Sequence, residues 1–218
     1  MHARGSSPCN RIESIAPMKN NKLLNLALVA ACALASGATM AQESEGPWLV
    51  RARAVNLASA NKDSTGLGLS INDKVIPEVD VSYFFTRNIA AELVLTVPQK
   101  HDVNATALNG KIGTLKHLPP SLLLQYHFDA PGFKPYVGAG LNYTRFSSVH
   151  LPAGVGIDKS SWGGALQVGV DIPLSKNLVL NLDVKKVYIQ ADVFAGGAKV
   201  GTFKVDPVLV GVGLGYRF

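Results

Sequence analysis

Apolar residues recur at every second position along the last eleven residues of the chain. Val208, Val210, Val212, Leu214, Tyr216 and Phe218 share one parity, while Leu209, Gly211, Gly213, Gly215 and Arg217 share the other. Successive side chains of a strand point to opposite faces, so this segment predicts a strand with one apolar face that ends on an aromatic. Seven further segments alternate in the same way: Trp48–Val55, Pro77–Phe85, Asn88–Val97, Pro120–Phe128, Pro135–Phe146, Trp162–Ile172 and Leu178 to about Ile189. Charges keep to the second face almost throughout, and aromatics gather near the strand ends. Such dyad alternation with aromatic girdles is the pattern of a transmembrane β-barrel. The alternative for the terminal segment alone is the last strand of a soluble sandwich.

The connections sort by length. Thr86–Asn88, Asp129–Lys134 and Ser175–Asn177 are short and polar, whereas 56–76, 98–119, 147–161 and 190–204 are long. Short and long links alternate, as they do in an outer-membrane barrel with tight periplasmic turns and long outer loops. The predicted fold is therefore all-β: an eight-stranded antiparallel up-and-down transmembrane barrel with both termini on the periplasmic side. An exposed strand edge cannot persist in lipid, so the last strand must pair with the first.

The amino-terminal region points to the same compartment. Met18–Lys22 is basic, 23–35 is apolar apart from Asn25, and Thr39-Met40-Ala41 offers a small-residue cleavage site. This reads as a secretory signal peptide over 18–41. Its apolar core falls short of the roughly 20 residues that a spanning helix needs. Residues 1–17 read as an upstream extension outside the fold, with 42–218 as the barrel. A rival processing site is the lipoprotein-like Val29-Ala30-Ala31-Cys32, with Cys32 as lipid acceptor. The two cysteines, Cys9 and Cys32, both precede Gln42, so the mature chain carries neither a disulfide framework nor a thiolate metal site. Half of the chain's net charge of +6 lies before Gln42, and the remainder is too scattered to suggest nucleic-acid binding.

Several segments together resemble the OmpW family of small outer-membrane barrels. They are Asn88–Leu93, Lys116–Leu122, Lys134–Tyr143, Ser161–Asp171, and Asp206-Pro207 ahead of Gly213–Phe218. The resemblance runs from about Trp48 to Phe218. It implies an eight-stranded barrel with a narrow, largely apolar lumen, passive uptake of small hydrophobic molecules and a link to stress tolerance. Separately, the aromatic end, Phe218 with Tyr216, resembles the carboxyl-terminal signal by which bacterial outer-membrane barrels are recognised for insertion by the barrel-assembly machinery. Where family members carry an aromatic in the seventh strand near the constriction, this chain has Lys185, and Val94 matches the apolar constriction position of the third strand.

The residues of second-face parity are the candidates for chemistry. Arg51, Arg53, Glu78, Asp80, Glu92, Asp183, Lys185 and Arg217 are predicted to point into the lumen. An eight-stranded barrel is only wide enough for side chains to fill it or to hold one small ligand. These groups read either as a structural ion-pair network that plugs the lumen or as a polar path or gate. Among them Val94, Lys185, Glu92, Asp183, Arg51 and Arg53 are the candidate constriction residues. Lys185 is either hydrated beside a path or paired with Glu92, Asp80 or Asp183. His101, His117, His127 and His150 are dispersed and show no metal-ligand spacing. The glycines form no phosphate loop and no nucleophile elbow is present. An enzyme, a cofactor and a metal are not expected.

Two functions stay open: a narrow channel for small, hydrophobic molecules, or a non-conducting structural or receptor barrel acting through its long outer loops. A soluble lipocalin-type barrel is disfavoured, because a charged face opposite the apolar one in every strand needs lipid on the apolar side. The expected surroundings are outer-membrane lipids and the barrel-assembly machinery, with a small hydrophobic permeant.

Overall fold

A computed structural model describes residues 46–218. The extension over 1–17, the signal peptide over 18–41 and the Cys32 alternative lie outside the described residues. The fifteen strands among the described residues are β1 (Trp48–Ala58), β2 (Lys62–Asp63), β3 (Leu69–Ile71), β4 (Lys74–Phe84), β5 (Ile89–Thr96), β6 (Gln99–Ala105), β7 (Gly110–Leu118), β8 (Ser121–His127), β9 (Lys134–His150), β10 (Val155–Ile157), β11 (Ser160–Pro173), β12 (Leu178–Val187), β13 (Gln190–Ala195), β14 (Ala198–Lys204) and β15 (Val208–Arg217).

Eight of them close into an antiparallel barrel in the order β1, β4, β5, β8, β9, β11, β12, β15 and back to β1. The closing pair runs from Leu49 opposite Arg217 to Ala58 opposite Val208. It is sealed at the chain end by Trp48 N–H to Phe218 O at 3.1 Å and Phe218 N–H to Trp48 O at 2.9 Å. Alternation decides the faces: Leu124 is 60% exposed on the outside, whereas Leu123 next to it is 1% exposed inside. The outer face carries aliphatic residues, with Trp48, Tyr83, Phe85, Tyr126 and Phe128 near the end with the short turns and Tyr143, Trp162 and Tyr188 near the other. Apolar outside and polar inside is the arrangement that lipid demands of a barrel.

The three tight links hold as turns. Phe85 N–H donates to Ile89 O at 2.9 Å, and Thr86 Oγ1 accepts from the amide of Ile89 at 3.0 Å. Leu174 N–H donates to Leu178 O at 2.8 Å. The sequence reading needs one correction at the opposite end, where the long links are not open loops. They carry seven further strands and a 3-10 turn over Thr106–Leu108, and the barrel strands also run past their expected ends, β9 as far as His150. The β6–β7 hairpin pairs with the upper part of β9, and β3 pairs with β6. A separate four-stranded sheet has the order β10, β13, β14, β2. The signal is weak because these strands are short and interrupted by bulges, at Val103/Asn104, between Thr114 and Lys116, and at Val193/Phe194. A bulge shifts the parity that sequence alternation relies on.

These extra strands extend the barrel wall outward and bury an apolar core of their own, including Leu69, Ile71, Val103, Leu115, Phe146, Val193 and Phe203. The ladder of the wall is interrupted at one junction. The β5–β8 ladder ends at Val94 opposite Ser121, and the β6–β7 ladder starts at Gln99 opposite His117. The intervening stretches contain Pro98 and Pro119-Pro120, which have no N–H to contribute to a ladder.

Candidate functional site: a charged plug beneath an apolar cavity

The lumen of the membrane-spanning part is packed with charge. Period-two geometry aims Arg51 and Arg53 of β1, Glu78 and Asp80 of β4, Glu92 of β5, Asp171 of β11, and Asp183 and Lys185 of β12 at one another. All eight are buried. Arg51 holds Asp171 with two hydrogen bonds, Nη2 to Oδ2 at 2.7 Å and Nε to Oδ1 at 3.1 Å. It also donates through Nη1 to Asp80 Oδ1 and Ser82 Oγ, both at 2.9 Å. Arg53 donates to Asp80, to Glu92 Oε1 at 2.9 Å and to Asn181 Oδ1 at 3.1 Å. The Lys185 ammonium sits 3.0 Å from Glu78 Oε1 and 3.3 Å from Asp183 Oδ1.

Neutral polar groups complete the network. Asp183 Oδ2 accepts from the Tyr136 hydroxyl at 2.9 Å and from Gln167 Nε2 at 2.7 Å. Gln125 Nε2 donates to Gln167 Oε1 at 2.9 Å, and His127 stacks on Tyr136 at 4.8 Å between centroids. Gly169 makes room for that ring, since a Cβ there would lie 2.4 Å from Tyr136 Cζ. Buried charges persist only when paired and hydrogen-bonded, and these are densely paired.

Of the residues singled out in the sequence, the structure gathers Arg51, Arg53, Glu78, Asp80, Glu92, Asp183 and Lys185 into this one network. The partners of Lys185 are Glu78 and Asp183. Val94 lies beside the network in the apolar layer with Leu57 and Ile76. Arg217 stands apart: its guanidinium covers the Phe84 ring at 4.0 Å and its Nε donates to Gly46 O at 2.7 Å. Asp171 was not singled out, although it shares inward parity with Gln167, and that parity was the signal available. Tyr136, Asn181 and Gln125 are equally central and carry no charge to draw attention.

Above the plug lies a cavity of about 120 Å³ lined by apolar residues, among them Leu69, Ile71, Leu115, Phe146, Val193 and Phe203. A void of about 10 Å³ lies between the two levels, touching Ile76, Thr96 and Pro119 as well as Glu78 and Lys185. A third cavity, of about 40 Å³, opens below the plug beside Phe84, His127, Asp171 and Arg217.

The histidines are closer than their spacing suggests. His101 and His117 stack on the inner face of the outer extension with centroids 4.6 Å apart. His101 Nδ1 lies 3.0 Å from Asn72 O. Burial pushes His101 down, and burial with His101 and Lys74 nearby pushes His117 down to about 3. Both rings are therefore neutral at ordinary pH.

Comparison with known proteins gives consistent matches. The model of the OmpW family matches residues 44–218. An uncharacterised outer-membrane protein of Sinorhizobium fredii is 41% identical over 184 residues, covering 79% of this chain and 80% of that protein. Outer membrane protein W of Escherichia coli is 35% identical over 216 residues, covering 90% of this chain and all of that protein. The crystal structure of the outer-membrane protein OprG from Pseudomonas aeruginosa superposes with a TM-score of 0.71 at 25% identity, covering 81% of this chain and 98% of that one.

Proposed function

Because the chain belongs to the OmpW family and is an outer-membrane β-barrel, we propose that it admits small apolar molecules from outside the cell and passes them sideways into the membrane. The observation that carries this reading is the pairing of an apolar cavity with a charged floor. The cavity of about 120 Å³ removes an apolar solute from water, which is favourable in proportion to the area covered. The floor beneath it is the Lys185–Glu78 pair and the arginine network. An apolar solute cannot replace those ion pairs, so the straight route along the barrel axis is closed to it.

The remaining route is through the wall. Between Val94–Ser121 and Gln99–His117 the ladder is interrupted, with Pro98 and Pro119-Pro120 in the gap. Thr96 and Pro119 of this stretch line the small void under the cavity. A solute leaving here meets hydrocarbon without crossing the plug. The proposal thus retains uptake of small hydrophobic molecules and moves the exit from the lumen to the wall. A non-conducting receptor barrel would leave the apolar cavity without a role.

The test is uptake of a small apolar fluorophore by Gram-negative cells that lack their own copy of such a barrel. Expression of this chain should raise the initial uptake rate several-fold. Leu115→Asp, which places a charge in the cavity wall, should return it to background while the protein remains heat-modifiable. In planar bilayers the wild-type barrel should carry little ion current. Uptake no faster than in cells without the protein, or a large steady ion conductance, would overturn the proposal.

A further inference from the structure

Three cations stand together on the outward face of the extension. Lys100 of β6 is directly opposite Lys116 of β7, and Lys116 is in turn opposite Ser147 of β9. Arg145, two residues along β9 from Ser147, is opposite Leu118 on the same face. Directly opposed side chains in an antiparallel pair have Cβ atoms about 5 Å apart, and like charges in that position are destabilising. Asp102, two residues along β6 from Lys100 on the same face, is engaged by Lys111 at 2.8 Å. Among the described residues none of the three cations makes an ion pair with a carboxylate. Lys100 and Arg145 are exposed, and Lys116 is half-buried.

Their level on the barrel is defined by aromatics. Arg145 follows Tyr143 by two residues on the outward face, and Tyr143 packs on Trp162 with centroids 4.8 Å apart. Aromatic girdles mark the membrane interface. Two strand residues rise about 7 Å. The three cations therefore stand just outside the hydrocarbon, on the side away from the termini, at the height of the outer leaflet's headgroups.

We propose that Lys100, Lys116 and Arg145 form a binding site for the phosphate groups of an outer-leaflet lipid, a phosphorylated glycolipid whose acyl chains lie against the apolar wall below. The site combines two ammonium groups, suited to phosphate as point charges, with a guanidinium that can grip a phosphate bidentately. Basic side chains just beyond a hydrophobic span attract anionic lipid, and the anion removes the cost of opposing two lysines. The site also adjoins the interrupted β5–β8 wall, because Lys100 and Lys116 flank Pro98 and Pro119 in the chain.

The experiment uses the mature full-length barrel in detergent micelles, titrated with diphosphorylated lipid A and with the same lipid after removal of its phosphates. Binding is read by native mass spectrometry. The wild-type protein should retain the phosphorylated lipid at least tenfold better than the dephosphorylated one. K100Q/K116Q/R145Q should abolish that preference, whereas Lys199→Gln, which removes an exposed lysine of β14 paired with Asp192, should keep it. Millimolar inorganic phosphate should not displace the lipid. Equal binding of the two lipids by the wild-type protein overturns the proposal, as does displacement by free phosphate or an undiminished preference in the folded triple variant. Should the triple variant fail to fold, the single variant Lys116→Gln and the wild-type comparison of the two lipids still decide.

Discussion

The Lys185 ammonium lies buried between Glu78 and Asp183. Removing one member of a buried pair leaves the other charge uncompensated, which typically costs about 3–5 kcal/mol. Lys185→Met is therefore expected to lower the unfolding free energy in lipid vesicles by about that amount, measured by urea titration. Adding Glu78→Met should recover only part of the loss, because Asp183 remains and Arg53 loses its contact with Glu78. An unchanged midpoint for the single variant would falsify the pairing. The stacked histidines give a second residue-scale expectation. His117 is held down to about 3 in the folded extension, against an ordinary value of 6.5. The opened extension binds the proton more readily than the folded one between these values. Stability is then full above about pH 6.5 and drains away as pH falls towards 3. Hydrogen exchange of the β6 and β7 amides should accelerate between pH 7 and pH 4.5 relative to the barrel strands, and His117→Gln should flatten that dependence.

At the scale of elements, the eight spanning strands were legible because lipid imposes a strict rule on every one of them. Leu166, Val168 and Val184 must face out, and Gln167, Asp183 and Lys185 must face in, so parity alone sorts them. The outer strands obey no such rule. Their two faces meet water and a small apolar core, and bulges between Thr114 and Lys116 and at Val193/Phe194 break the alternation. The last strand combines both kinds of information. Its closing hydrogen bonds to Trp48 are made by backbone atoms, so they survive a change of side chain. Phe218 itself is 57% exposed on the outer face near Tyr216. We therefore expect Phe218→Ala to change the unfolding midpoint of refolded protein little, yet to cut the yield of heat-modifiable barrel in cells sharply. Normal cellular yield would remove the terminal aromatic as an assembly signal.

For the whole molecule, sequence parity identified Arg51, Arg53, Glu78, Asp80, Glu92, Asp183 and Lys185 as turned inward, but not which partners they take. Arg51 and Asp171 come from strands that are not neighbours, and only the closed curvature of the wall brings them within 2.7 Å. The apolar cavity was not legible at all, since its walls come from Leu69, Val103, Phe146, Val193 and Phe203, scattered over five outer segments. The bond between Arg51 and Asp171 spans 120 positions of the chain, and the closing ladder joins the two ends. Contacts so distant in sequence form late, after the entropy of a very large loop has been spent. A barrel missing its final strand would keep the pairs of Arg51 and Arg53 with Glu78, Asp80 and Glu92 on β4 and β5, but would lack the closed wall that delivers Asp171, Asp183 and Lys185 to them, so a half-built molecule gains only part of the network's stability. The interior charges thus act as a latch on assembly that is half-set by the first strands and engages fully only when the last strand arrives.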